Sequence, residues 1–492
     1  KQTTGSVSTV KTRDLTAVPS GNVEQQLQGR VAGVTVITNG QPGTASIVRV
    51  RGFNAFGGNE PLYIVDGLPT YNVDFLSPDD IESTTVLKDA AAASIYGARA
   101  ASGVIVFTTK RGTKKAQPLT ISYDGSVGFT TPGTAQEILN PQEQADWTWN
   151  ALRNTGQATT HPQYGSGGTP VLPDYINVGG AAGVIGTVDL AAEKAKYNID
   201  PTVGSVYQVV KANKAGTDWY GEITDNAPMT RHSLGFTGST DRARYYVGTN
   251  LQYTQGILRN NSFQRNTFRV NTEFDLGKRV RVGENLQLLY RKVLGQTGGN
   301  NGAGIPGDEN AILSAFRMPS IIPVYDEFGG YAGTAAKGFN NPRNPVAERD
   351  GIADNRGFGF GVLGNFYLEV DPIKNLTLRS SIGGFGSSSS YKNYNRLQYE
   401  NSENNASFSY GEGGSYGFSW TFTNTATYKA QFGESSLDLL GGIEAVNGGD
   451  GRVTDASGLS PFSTDPNYIN LNTVLSRQVR SFYLKGNRFF FL

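Results

Sequence analysis

The sequence predicts a transmembrane antiparallel β-barrel preceded by a compact α/β unit. Three observations carry that prediction. From about residue 118 the chain alternates apolar and polar residues over long stretches. Its connections switch between short turns and long polar loops, as in outer-membrane barrels with short periplasmic turns and long outer loops. The 492 residues include 63 Gly, 24 Tyr and 25 Phe but only 2 Met, a balance that suits strands, turns and interfacial rings better than a helix bundle. Alternation alone leaves a large soluble β protein open as the alternative.

Composition also excludes several functions. With no Cys, thiolate metal sites, Cys nucleophiles and disulfides are absent. The two His, His161 and His232, are too few and too far apart for a zinc site or a His-based triad. The 43 basic residues are scattered among 42 acidic ones, so no overall field favours nucleic acid. No apolar run approaches the ~18–20 residues of a transmembrane helix. Lys1 is not an initiator Met and no signal peptide opens the chain, which reads as a processed or truncated N-terminus.

Residues 1–115 read as the α/β unit. Asn22 is a candidate N-cap for a helix with Val23, Leu27 and Val31 on one face, followed by a strand with Val34 and Val36. IVRVRG (47–52) alternates, which would put Arg49 and Arg51 on one face. PLYIVDGLP (61–69) is a buried-type strand closed by an Asp66-Gly67 turn with a left-handed Gly. SPDDIES (77–83) has the form of a helix start, with Ser77 as cap and Pro78 first. TTVLK (84–88) reads as a strand. Asp89 then caps an alanine-rich helix that Gly97 ends, and SGVIVFTTKR (102–111) is the last strand. The alanines let that helix lie close to its sheet.

Residues 116–492 carry the two-faced strands. In LTISYDGSVGF (119–129), Leu119, Ile121, Tyr123, Val127 and Phe129 share a face. The same grammar recurs in YYVGTNLQYTQ (245–255), FRVNTEFDL (268–276), VRVGENLQLLY (280–290), FGFGVLGNFYLEV (358–370), NLTLRSSIG (375–383), YGFSWTFTNTATY (416–428) and SLDLLGGIEAV (436–446). Their polar faces hold small, amide and charged residues, as an aqueous lumen would require. Long loops are expected at 132–231, 294–356 and 447–476. GFGVLG (359–364) fits a dinucleotide fingerprint by letter, but it lies inside an alternating strand with no following helix, so its glycines read as lumen-facing.

Long strings of this chain resemble the plug and first barrel strand of SusC/RagA-type TonB-dependent outer-membrane transporters. They are VSTVKTRDL (7–15), LQGRVAGVTV (27–36), PGTASIVRVRG (42–52), PLYIVDGLP (61–69) and IESTTVLKDAAAASIYGARAASGVIVFTTKRG (81–112). The resemblance continues in order through 217–247, 318–331 and 344–347. It implies a plug (1–115) inside the lumen of a barrel that in the family has about 22 strands, of which 116–492 would form the N-terminal part. It also implies TonB-dependent import of glycan fragments or peptides by a Bacteroidetes-type Gram-negative bacterium, with no enzymatic activity and no cofactor. The implied partners are a SusD-like lipoprotein lid, outer-membrane lipid, and TonB, acting through an N-terminal segment that this chain lacks. A non-transporting structural or adhesive barrel protein is the alternative. Roughly ten to twelve strands are recognisable by alternation, and the chain ends soon after a strand begins at 481–485, so it reads as part of a longer protein.

Candidate site residues follow from that frame. Arg49, Arg51 and Arg99 of the plug are expected to meet acidic lumen residues such as Glu273, Asp275 or Glu369, because half-buried arginines usually find carboxylates. Asp66, Gly67, Asp89 and Gly97 are assigned to turns and caps. The acidic set Asp79, Asp80, Glu82 and Asp89 is read mainly as helix capping and not as a metal site. Trp147, Trp149, Tyr164, Trp219 and Tyr220, in or beside the first long loop, are candidates to touch an oligomeric substrate, against the plainer reading that they pack the loop.

Overall fold

The computed structural model describes residues 7–11, 21–38, 40–53, 59–70, 72–89, 93–113, 115–176, 179, 181–295, 310–401, 403, 407–433 and 435–491. Among the described residues, the N-terminal unit has seven strands: β1 (Val7–Lys11), β2 (Val34–Ile37), β3 (Ile47–Val50), β4 (Leu62–Val65), β5 (Leu68–Thr70), β6 (Ile81–Leu87) and β7 (Val104–Thr109). Five of them form one sheet in the order β1-β6-β7-β4-β5, while β2 and β3 pair separately. Every pairing is antiparallel except β4 with β7.

All four residues of β4 are buried because both of its faces are covered. Tyr63 and Val65 enter the main core with Val23, Leu27 and Phe107. Leu62 and Ile64 point the other way, onto Ala93, Ala100 and Val104. Ala93 and Ala100 therefore lie close on the sheet. Residues 90–92 of the expected alanine helix lie outside the described residues. Beyond them, Ser94–Ala100 forms two tight 3-10 turns rather than an α-helix, and Gly97 sits between the turns at φ 63° instead of ending a helix. The Asp66-Gly67 turn has φ of 50° and 90° at its two central residues, the type I′ geometry that suits a two-residue hairpin.

A second sheet starts at Gln117. Its long strands are β8 (Gln117–Thr130), β9 (Ala227–Ser239), β10 (Ala243–Gln255), β11 (Ser262–Asp275), β12 (Val280–Leu294), β13 (Arg356–Ile373), β14 (Leu376–Asn395), β15 (Ser409–Phe432), β16 (Ser435–Leu459) and β17 (Leu475–Leu484). They pair antiparallel with their neighbours in chain order, and the short β18 (Arg488–Phe491) joins β16. Among the described residues, β8 and β17 pair on one side only. The apolar faces read from the sequence point outward and stand exposed, Leu119, Ile121, Phe360, Val362 and Ile382 among them. That face is the lipid side of an outer-membrane wall. Among the described residues no helix is long and apolar enough to cross a membrane.

The strand ends differ most from the sequence reading in the segment after residue 446. Residues 447–459, expected in a loop, continue β16 and pair with the first half of β15. GGDGRVTDASGL is too rich in small and polar residues to show a period of two, so only its partner strand reveals it. At 24 and 25 residues, β15 and β16 far exceed the ~9–11 that cross a bilayer and must extend beyond it.

The connections at 240–242, 276–279, 374–375 and 433–434 are short, and those at the opposite ends of the strands are longer, from six residues at 256–261 upward. The described residues of two long ones, 131–226 and 310–355, fold together. Helices α1 (Pro141–Asn154), α2 (Leu190–Lys194), α3 (Trp219–Ile223), α4 (Ala311–Arg317) and α5 (Pro345–Gly351) lie there. Trp149, Tyr164, Trp219, Met318, Ile322 and Val346 share a buried apolar core within this cap.

Candidate functional site: plug interlock and lumen cleft

The inner wall meets the N-terminal unit through a polar interlock. Ser77, Pro78, Asp79 and Asp80 enter one 3-10 turn, but the Ser77 side chain makes no capping bond and both acids are buried. The capping role expected for Asp79 and Asp80 is therefore corrected: they face the wall. Asp80, with no exposed surface, accepts from the Tyr246 hydroxyl at 2.9 Å and the Asn250 amide at 3.0 Å. Asp79 faces Arg231 Nε at 3.3 Å.

Asp66, the hairpin-turn residue, accepts from the Thr109 backbone at 3.1 Å, the Thr109 hydroxyl at 2.6 Å and Arg111 at 3.1 Å. Arg269 of the wall, 1 % exposed, stands between Asp66 and Asp80 at 3.5 and 3.6 Å. Asn271 adds bonds to the Thr109 hydroxyl and the Lys110 carbonyl at 2.9 and 2.8 Å. Among the described residues, an apolar seam joins the two bodies where Leu363, Leu289 and Phe385 reach the plug core, with Phe385 stacked 5.5 Å from Phe75. The wall comes close at Gly383, where a Cβ would stand 2.9 Å from Leu68.

The interlock thus has mostly the opposite polarity to the one expected from sequence. Arg49 pairs with Glu60 of the same unit at 3.4 Å. Arg51 lies beyond the end of β3, exposed and at φ 60°, so it does not share a strand face with Arg49. Only Arg99 reaches a wall carboxylate, Glu444, at 2.5 Å. Glu273, Asp275 and Glu369 are engaged within the wall, because the antiparallel register sets Arg244 opposite Glu273, Arg281 opposite both Asp275 and Glu369, and Arg379 opposite Glu369. Directly opposed charges on a sheet face pair first, here at 2.6–3.1 Å. The residues missed by sequence reasoning, Arg231, Arg269, Asn250 and Asn271, lie on the polar faces of β9, β10 and β11. The alternation that exposed Glu273 and Asp275 also displayed Arg269 and Asn271.

The loop aromatics are mostly core. Trp149, Tyr164 and Trp219 are buried, and the indole N–H groups of Trp149 and Trp219 donate to the Gly167 and Pro319 carbonyls at 2.9 and 3.3 Å. That corrects their candidacy for substrate contact. Tyr220 stacks 5.8 Å from Phe316. Trp147 alone of the five is well exposed.

On the long-loop side, the plug and wall flank a cleft of about 220 Å³ lined by Asn22, Gln41, Thr44, Gln252, Phe263 and Arg265, among others. Beside it, Glu24 is buried in the plug and accepts from the Tyr63 hydroxyl at 2.7 Å and the Ser46 backbone at 2.9 Å. Burial pushes its carboxyl up to about 7, outweighing the hydrogen bonds that oppose the shift. Among the described residues no group of His, Cys, Asp and Glu could hold a metal ion.

A small α/β unit locked by polar contacts against the inner face of a lipid-exposed antiparallel wall defines a plugged outer-membrane β-barrel. Residues 1–104 match the TonB-dependent Receptor Plug Domain family. The chain is 30% identical over 454 residues to TonB-dependent receptor P3 of Formosa agariphila, covering 89% of this chain and 38% of that one. It is 25% identical over 543 residues to TonB-dependent receptor SusC of Bacteroides thetaiotaomicron, covering 99% and 46%. The structure of the RagAB peptide importer in the closed-closed state superposes with a TM-score of 0.70 at 24% identity, over 98% of this chain and 52% of that one. The chain thus spans about half the length, or less, of these relatives. In sequence the chain is similar to TonB-dependent receptors of the SusC type, and in fold to RagAB, over a plug and part of a barrel wall. The relatives are receptors and importers, not enzymes.

Proposed function

We propose that the protein imports oligomeric nutrients, peptides or glycan fragments, across the outer membrane. A SusD-like lipoprotein closes the outer mouth, and TonB pulls on the plug from the periplasm. The observation that carries this reading is the polar interlock. Asp66, Asp79 and Asp80 hold the plug through a limited set of ion pairs and hydrogen bonds, with only a narrow apolar seam beside them. Such contacts hold at rest and exchange for water under force, whereas a large apolar interface would resist displacement. SusC and the RagAB peptide importer are the relatives that support the partner and the cargo class.

The test is uptake of labelled peptide and oligosaccharide mixtures by cells with and without the gene, repeated after removal of TonB. Uptake that requires both the gene and TonB is the expected result. Uptake indifferent to TonB would overturn the import reading and favour a structural or adhesive barrel.

A further inference from the structure

We propose that the lumen beside the plug selects oligomers that carry carboxylates, and that Arg291, with Arg356 beside it, is where those carboxylates attach. The proposal rests on the import reading and deepens it. Two clefts, of about 220 and 320 Å³, share Gly43 and Arg291 in their walls. Small-molecule sites occupy roughly 300–1,000 Å³, so the pair together has room for a short stretch of an oligomer. The charged residues of their linings are Arg231, Arg265, Arg291 and Arg356 against a single carboxylate, Asp74. A cleft walled by one sign of charge concentrates the opposite ion.

Three of these arginines are wholly or partly committed. Arg231 faces Asp79 at 3.3 Å. Arg265, 5 % exposed, donates to the Asp74 carbonyl and to Gln252, both at 2.9 Å. Arg356 donates through Nε to the Asp354 carbonyl at 3.3 Å. Arg291 makes no hydrogen bond or ion pair among the described residues, although it is half-buried. Its neighbours set the contrast, because Arg231, Arg244, Arg269, Arg281 and Arg379 each face a carboxylate. A guanidinium partly withdrawn from water normally has such a partner. Here the partner has to arrive from outside.

The wall also makes room for this side chain. Arg291 is registered opposite Gly359. A Cβ at Gly359 would stand 2.8 Å from Arg291 Nε and 2.9 Å from its Cγ. The absent side chain lets the arginine lie across the neighbouring strand and reach both clefts. The aromatic side chains in the linings are Phe263 in the first cleft and Phe358 and Tyr391 in the second.

Binding to the full-length purified membrane protein tests this with four fluorescent probes: an octapeptide of alternating Glu and Gly, its Gln counterpart with an amidated C-terminus, a galacturonate hexamer, and the methyl ester of that hexamer. At low salt at least one acidic probe is expected to bind tenfold or more tightly than its neutral counterpart, as charged hydrogen bonds allow. The preference should collapse in about 1 M salt, where the Debye length falls to ~3 Å. Arg291→Gln should remove it, Arg291→Lys should keep part of it, and Gly359→Val should weaken it without changing any charge. Unchanged binding of the neutral probes reports that the variants are folded. Preference for only the peptide or only the uronate identifies the source of the carboxylate. Equal binding of acidic and neutral probes, or an Arg291→Gln variant that keeps the preference, overturns the proposal. TonB-dependent uptake that persists in that case leaves the import reading standing.

Discussion

Arg269 shows what one side chain contributes to the interlock. It is the guanidinium between two buried carboxylates of the plug, Asp66 and Asp80. Removing one partner from a buried charge cluster commonly costs ~3–5 kcal/mol, because the remaining charges are left uncompensated. Arg269→Ala should therefore loosen the plug, read as earlier hydrogen exchange of β4 and β7 amides in urea. Asp66→Asn and Asp80→Asn added to Arg269→Leu should restore part of the protection. A silent Arg269→Ala would show that the cluster does not hold the plug. Glu24 supplies a pH dependence. Its folded pKa, about 7, lies above the ordinary carboxyl value of 4.5. Its contribution is then complete below about pH 4.5 and is lost as pH rises through about 7, on the order of 3 kcal/mol in all. Thermal unfolding of the plug between pH 5 and 8 should show that decline in the wild type and not in Glu24→Gln; equal slopes would count against the assignment.

At the scale of elements, the cap made from residues 131–226 and 310–355 behaves as a folded layer with its own core. Trp219 has no exposed surface and packs with Trp149, Met318 and Ile322, whereas Trp147 on α1 is 63% exposed. Trp219→Ala should cost ~3–5 kcal/mol locally, and Trp147→Ala should stay within about 0.5 kcal/mol. Limited proteolysis of the cap is the readout. Equal resistance of the two variants would mean that the cap is not held by this core. The sequence could not separate Trp147 from the buried Trp149, two positions apart on one helix. A burial pattern on a 14-residue helix depends on which loop packs against it, and that loop comes from far along the chain.

For the whole molecule, the outward faces define the solvent. Val362 stands exposed on β13 among Phe360, Phe366 and Leu368. An Arg on a lipid face costs about 2–4 kcal/mol near the bilayer midplane, while lumen positions tolerate charge. Val362→Arg should reduce assembly of the heat-resistant barrel on a gel, and Ser389→Lys on the inner side should not. The reverse pattern would place the lipid on the other face. This inside–outside division was legible from the sequence, since a period of two assigns every residue of a strand to a face without knowledge of its neighbours. The plug strands, the Asp66-Gly67 turn and the offset between short and long connections were legible for the same reason: each depends on local chemistry. Partnership was not. Glu273, Asp275 and Glu369 were visible as inner-face acids, but only the register showed them already opposed to Arg244, Arg281 and Arg379. Asp79 and Asp80 looked like the first turn of a helix until Arg231, Tyr246 and Asn250 stood against them. Sequence by itself determined which residues face lipid, lumen and core. Tertiary structure decided which charge meets which, because ion pairs form between residues as far as 345 positions apart and depend on a few ångströms of register that no local pattern encodes.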